Sequence, residues 1–244
     1  MTALLFVHAF PLDGSMWELQ VAALREEVDT VLAPSLPGFG GTPVPAGQPS
    51  LDDYADALAG SLDAAKAERA VVVGLSMGGY VAFAFWRRHR ARVAGLLLAD
   101  TRAEADDEPA RERRAKLADL VRERGTRALL LQPPPWVRDG SEQWGRVRQI
   151  VGRQPAEAIA QASLAMAARQ DARELLAGID VPVAVVVGSD DRITPPQMSR
   201  TMTDGIREAT LTVVPRAGHL ANLDAPDDFG RAVRDLVRRV GGQG

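Results

Sequence analysis

Residues 71–85, VVVGLSMGGYVAFAF, decide how this chain is read. Val71, Val72 and Val73 are β-branched and apolar, as a buried strand requires, whereas Tyr80 to Trp86 is apolar at helical spacing. Ser76 therefore falls on a strand-to-helix turn. Such a turn is sharp, and Gly74 and Gly78 leave room where the two backbones nearly touch, so the hydroxyl projects from the top of a sheet. The N–H of Met77, the next residue, lies at the positive end of the helix, where it can stabilise an oxyanion forming on an attacked carbonyl. The plainer alternative is a tight turn that happens to carry serine.

A serine hydroxyl is a weak nucleophile at neutral pH and needs a general base, and the chain has three histidines, His8, His89 and His219. His89 lies in RRHRAR among four arginines and reads as a solvated helix end. His219 stands in VVPRAGHLANLDAPDDF, after an apolar run and ahead of a helix opened by Pro226, which puts it in a loop at the carboxyl edge of a strand. His8 also follows an apolar strand and is the rival. The base in turn needs an acid to hold its tautomer and stabilise the imidazolium. VAVVVGSDDRITPP supplies Asp190 and Asp191 after a further buried strand, and the spacing from Gly188 to Pro195 favours Asp191. Asp100, which ends the run Leu96 to Ala99, is a third candidate; a solvated turn is the bland reading of the Asp190–Asp191 pair.

Along the whole chain, apolar strand patterns at 3–7, 28–33, 70–74, 94–99, 182–187 and 210–214 alternate with helical patterns at 15–26, 51–66, 79–89, 196–203 and 226–240. Alternation of this kind predicts an α/β fold with a mostly parallel sheet of about six strands flanked by helices. The 244 residues are 46% hydrophobic and 25% charged with net charge −3, which suits one soluble domain with a substantial core and not a nucleic-acid partner. No run is long enough to span a bilayer, and the short N-terminal apolar stretch reads as a core strand and not a signal peptide, so a cytoplasmic protein is expected. The absence of cysteine excludes disulfides and a catalytic thiol; with three scattered histidines, no metal site and no cofactor are expected. PGFGG at 37–41 lacks the pattern of a dinucleotide-binding loop and reads as a turn near the site mouth. Trp17 reads as core, and Asp13 and Gly14 as turn residues at a helix start.

VHAFPLDGSMW, SLPGFGGT, GLSMGG, GSDDRITPP and AGHLANLDAP, spread over both ends and the middle of the chain, together resemble the α/β-hydrolase fold superfamily. Within it, the chain resembles small carboxylesterases and 3-oxoadipate enol-lactonase-like hydrolases. The order Ser76, Asp191, His219 is the one that this superfamily uses for its triad. The resemblance further implies that the Phe10 N–H is the second oxyanion donor and that His8 braces its loop. Ala9 stands where relatives carry glycine; if that glycine needs a positive φ, Ala9 is strained. Many relatives carry an antiparallel hairpin ahead of the first of these strands, so a reduced sheet is expected. The charge-rich helical stretch at 101–178 falls where the superfamily inserts a helical cap, dividing the chain into a core of residues 1–100 and 179–244 and a lid. The charges of EPARERRAKLADLVRERG are expected on a solvated outer face, a surface for acidic ligands being the alternative, and the prolines of LLLQPPPWV interrupt the cap helices. Trp136 and Leu220 are candidate pocket-lining residues, and Met166 reads as core filler more than pocket wall. The expected activity is hydrolysis of a small carboxylic ester or lactone through an acyl-enzyme. The same triad also serves C–C hydrolases and perhydrolases, and slow-turnover ligand receptors share the fold; Ser76 at the elbow argues against relatives that use aspartate there.

Overall fold

The computed structural model of the protein describes residues 2–131 and 134–242. Its centre is a six-stranded, wholly parallel sheet in the order β2-β1-β3-β4-β5-β6. The strands are β1 (Thr2–Val7), β2 (Val31–Leu32), β3 (Arg69–Leu75), β4 (Val93–Ala99), β5 (Val183–Gly188) and β6 (Thr210–Val214). The four central strands are Val-, Leu- and Ala-rich with almost every side chain buried, as expected of a parallel sheet covered on both faces. The edges are weaker. Only Val31 and Leu32 of the expected strand 28–33 pair, with Leu4 and Leu5, because β2 has a single neighbour and Pro34 then removes a donor. At the other edge Leu211 and Val213 of β6 remain partly exposed.

Between strands run α1 (Glu18–Leu24), α2 (Leu51–Ala64), α3 (Met77–His89), α4 (Glu108–Arg124), α5 (Arg127–Leu131), α6 (Trp144–Gly152), α7 (Ala156–Ala167), α8 (Arg173–Leu176) and α9 (Pro196–Gly205), and α10 (Ala221–Asp224) and α11 (Pro226–Gly241) follow β6. The first helical pattern begins as a short 3-10 turn, Gly14–Trp17, because the Asp13 carboxylate caps Ser15 N–H at 2.9 Å before the α-helix proper starts. Ser50 and Asp53 form a reciprocal capping box that starts α2. Helices α1 and α11 pack together and against the sheet; α3 also packs against the sheet, and α2 packs on α3. Trp17 is fully buried between Phe6 of β1 and Phe229 of α11, with ring centroids 4.8 and 5.6 Å away.

Sequence order and spatial order diverge at β1: the chain steps outward to β2, then crosses back to place β3 on the other side of β1. A crevice opens at the carboxyl ends of the strands at such a reversal. The loops after β1 and β3 flank it, bringing residues 8–12 and Ser76 together.

The segment from Asp100 to Pro182 leaves the sheet and carries α4 to α8. Asp107 caps α4, and Gly125, at φ +72°, ends it. Helices α4 and α7 lie along each other, joined by Ser163 Oγ donating to the Arg114 carbonyl at 2.9 Å. Both Nε and Nη2 of Arg153, past the end of α6, donate to Asp13 at 2.9 Å, and Leu220 N–H donates to the Trp136 carbonyl at 2.7 Å. The prolines of LLLQPPPWV fall at the end of α5, though residues 132–133 lie outside the described residues. No helix among the described residues is long and apolar enough to cross a membrane.

Candidate active site

Ser76 lies between the last residue of β3 and the first of α3, with φ 56° and ψ −113°. A non-glycine residue in that region is strained and persists only where its surroundings hold it. Here Ser76 N–H donates to the Ala99 carbonyl at 2.9 Å, and the Ser76 carbonyl accepts from Thr101 Oγ1 and Gly79 N–H, both at 2.9 Å. The glycines do what close approach demands. A Cβ on Gly74 would lie 2.3 Å from the Gly78 carbonyl oxygen, and one on Gly78 would lie 2.1 Å from that of Val7.

His219 precedes α10, and its Nε2 lies 2.8 Å from Ser76 Oγ. Its Nδ1 lies 2.9 Å from Asp191 Oδ2. These two contacts require the Nδ1–H tautomer, since a carboxylate can only accept and Nε2 must then accept from the serine hydroxyl. Asp191 is the better-held carboxylate. Its Oδ1 accepts from Ile193 and Thr194 N–H at 2.8 and 3.0 Å, and Oδ2 accepts also from Thr194 Oγ1 at 2.6 Å. Burial alone would push its pKa up, but the hydrogen bond and charge of His219 and the Thr194 donors outweigh burial and hold the carboxyl below the usual range. Asp190, by contrast, is exposed and accepts from Ser189 Oγ. Asp100 is fully buried at φ +44°, with Oδ1 accepting from Gly188 N–H at 2.8 Å. Burial, reinforced by the Asp191 charge, pushes its carboxyl well above the usual range.

The other two histidines are engaged elsewhere. His8 is buried, with Nδ1 donating to the Ala9 carbonyl and Nε2 accepting from Leu36 N–H, both at 3.0 Å. Burial lowers its pKa to about 4, so the ring is neutral and ties the loop after β1 to the loop after β2. His89 meets Asp56 on the surface at 2.8 Å. Ala9 is buried without a positive φ, and its N–H faces Met16 Sδ at 3.2 Å, so the strain expected of alanine at this position is absent. Met77 is the first residue of α3 and its N–H has no intrahelical acceptor.

Ser76 and His219 open into a cavity of about 600 Å³ walled by Phe10, Tyr80, Leu117, Trp136, Met166 and Ile193 among others, a volume suited to a small molecule. Trp136 and Met166 are in its wall; Leu220 is not, because it is fully buried behind the histidine loop. The reading of the α4 charges as a solvated outer face is corrected at Arg114, which lines the cavity, as does Arg124 at its rim. Ala110, Arg114, Leu117 and Val121 recur at helical spacing, so Arg114 lies on the helix's inner stripe, a signal present in the sequence. Tyr80 and Ile193 had no such signal, since nothing in their surroundings separates pocket wall from core. Among the described residues no group of three or more acidic, histidine or cysteine side chains is placed to hold a metal ion.

Comparison with known proteins gives a consistent assignment. The profile described as "Alpha/beta hydrolase family" matches residues 4–232. A thermophilic esterase from Thermogutta terrifontis, solved with malate bound, superposes with a TM-score of 0.93 at 38% identity, over 98% of this chain and 90% of that one. The pimeloyl-[acyl-carrier protein] methyl ester esterase of Neisseria meningitidis is 32% identical over 86% of this chain and 84% of its own length. The 3-oxoadipate enol-lactonase 2 of Acinetobacter baylyi is 27% identical over 97% of this chain and 89% of its own.

Proposed function

Because the chain belongs to the alpha/beta hydrolase family, we propose that it hydrolyses small carboxylic esters or lactones, with Ser76 as nucleophile, His219 as general base and Asp191 as its acid. The observation that carries this reading is the bridge made by one imidazole, 2.8 Å from Ser76 Oγ on one side and 2.9 Å from Asp191 on the other. Esterase and lactonase relatives support the substrate class.

His219 Nε2 takes the hydroxyl proton as Ser76 Oγ attacks the carbonyl carbon. Asp191 fixes the ring and stabilises the imidazolium that results. The oxygen of the tetrahedral intermediate faces the N–H groups of Met77 and Phe10, which in this reading carry its negative charge. His219 then protonates the leaving alkoxide, which departs as an alcohol from an ester or becomes the free hydroxyl of the opened chain from a lactone, and an acyl group remains on Ser76. On the return step it takes a proton from water, hydroxide adds to the acyl carbon, and the proton passes to Ser76 Oγ as the acid is released. Residues 101–178 serve as the cap, whose α4 and α7 close the cavity over the acyl and alcohol groups. The cavity is largely apolar, which lowers the local dielectric and strengthens the oxyanion contacts.

A panel of activated esters and lactones tests the reading. Ser76→Ala and His219→Ala are expected to lower kcat by about 10⁴-fold or more, and Asp191→Asn by roughly 10³–10⁴-fold. Asp190→Asn and Asp100→Asn should each stay within about 3-fold of wild type, because Asp190 is solvated, Asp100 is bonded to Gly188 N–H, and His219 Nδ1 pairs with Asp191. Turnover that survives Ser76→Ala, or that depends on Asp100 more than on Asp191, contradicts it.

A further inference from the structure

The wall of the Ser76 cavity carries two guanidinium groups, Arg114 and Arg124, both from α4, and no carboxylate among the described residues. Arg124 stands at the rim with its side chain 68% exposed, where solvent and salt screen it. Arg114 is drawn in, with 21% of its side chain exposed. Its Nε is bonded to Asp106, while Nη1 lies 3.4 Å from Met166 Sδ, a weak acceptor that leaves most of the donor's capacity unused.

Asp106 is shared. Arg102 and Arg169 also pair with its Oδ1, at 2.5 and 2.8 Å, so three guanidinium groups converge on one carboxylate that is 1% exposed. Glu104 does not complete the balance through Oε2, which is buried without a hydrogen-bond partner. Arg169 is almost wholly buried beneath the face of Tyr80, with Cζ 4.1 Å from the ring centroid, and its Nε also lacks a partner. Burial, and secondarily the positive charge of Arg114, pulls the Arg169 pKa down. Pinning α4 to the loop before it would take one arginine; the second and third add desolvation and mutual repulsion, and no second carboxylate is paired with the trio among the described residues. Arg102 and Arg169 face a separate recess of about 100 Å³ on the far side of Tyr80, so Arg114 is the member of the trio turned toward Ser76.

Resting on the reading of the Ser76 cavity as the substrate site, we infer that Arg114 binds a carboxylate carried by the substrate remote from the scissile carbonyl. The preferred substrates are then anionic, such as monoesters of dicarboxylic acids or lactones with a free carboxylate. The bound anion neutralises part of the excess positive charge, and the Arg114 fork supplies charge-assisted hydrogen bonds that a neutral ester of the same length does not receive. Arg102 and Arg169 are positioning residues, which fix Asp106 and through it the Arg114 side chain.

The test separates binding from chemistry. In Ser76→Ala protein, calorimetry should show a dicarboxylate monoester binding about 10-fold tighter or more than its neutral alkyl counterpart, the difference narrowing as salt is raised. Adding Arg114→Met should abolish that preference, and Arg114→Lys should restore part of it, since lysine keeps the charge but not the fork. With active protein, the kcat/KM ratio between charged and neutral esters should fall by the same factor in Arg114→Met. Equal binding of the two esters by Ser76→Ala protein overturns the assignment without needing any arginine variant to fold. A preference that persists in Arg114→Met also overturns it. Failure of the hydrolase reading looks different: it is loss of turnover on every ester, charged or neutral, whereas failure of the Arg114 assignment leaves neutral-ester turnover with no gain from a carboxylate.

Discussion

At Ser76 the placement of the hydroxyl depends on a φ of 56° that serine adopts only under constraint, and at His8 a neighbouring loop depends on an imidazole kept neutral by burial. The second dependence is measurable by pH. The His8 pKa is about 4 in the fold against 6.5 unperturbed. Between those values the unfolded chain binds more protons than the native one, so stability is full above pH 6.5 and falls as pH drops toward 4. This group alone accounts for about 3 kcal/mol of that loss, at 1.36 kcal/mol per pKa unit. Denaturant titrations across that range should show a shallower pH slope in His8→Gln than in wild type; an unchanged slope means that the ring is not buried neutral. Much at this scale was legible in the sequence: Ser76, Asp191 and His219 were picked out by their loops and spacing, and His219 lies within hydrogen-bond reach of each of the other two. Arg114 was not read as pocket-facing although its spacing from Ala110, Leu117 and Val121 marks the inner stripe of the helix, because a charge in so charge-rich a segment looks solvated.

Among the elements, the β3–Ser76–α3 unit is the most constrained, since strand and helix backbones approach too closely for any side chain. A Cβ at Gly78 would fall 2.1 Å from the Val7 carbonyl oxygen, a backbone atom that cannot swing away. Gly78→Ala is expected to cost about 3 kcal/mol or more and to lower Tm by several degrees. Gly60, inside α2 with open space around its Cα, gives the contrast: Gly60→Ala should stabilise by about 0.5–1 kcal/mol. Thermal melts of the two variants check both signs at once, and equal effects would mean that the elbow is looser than described. Strand and helix positions were legible to within a few residues wherever a buried run or a capping signal marked them. The exception was β2, where 28–33 reads as a strand but only Val31 and Leu32 pair, because an edge strand depends on partners that its own sequence does not specify.

Over the whole molecule, the parallel sheet and its reversal at β1 decide where chemistry can occur, and the segment between β4 and β5 decides what can reach it. The sheet was legible because alternating buried strands and amphipathic helices admit few arrangements. The cavity wall was not, because it is assembled from α3, α4, α5, α7 and the loops after β1, α5, β5 and β6, and its shape depends on how those helices pack and not on the pattern of any one of them. The central claim, that this fold presents Ser76 as a nucleophile activated by His219, is tested most directly by fluorophosphonate labelling followed by peptide mass mapping. The account predicts a stoichiometric adduct on the peptide containing Ser76, no adduct in Ser76→Ala, and labelling slowed by orders of magnitude in His219→Ala. An adduct on any other residue, or labelling that persists in Ser76→Ala, would contradict it.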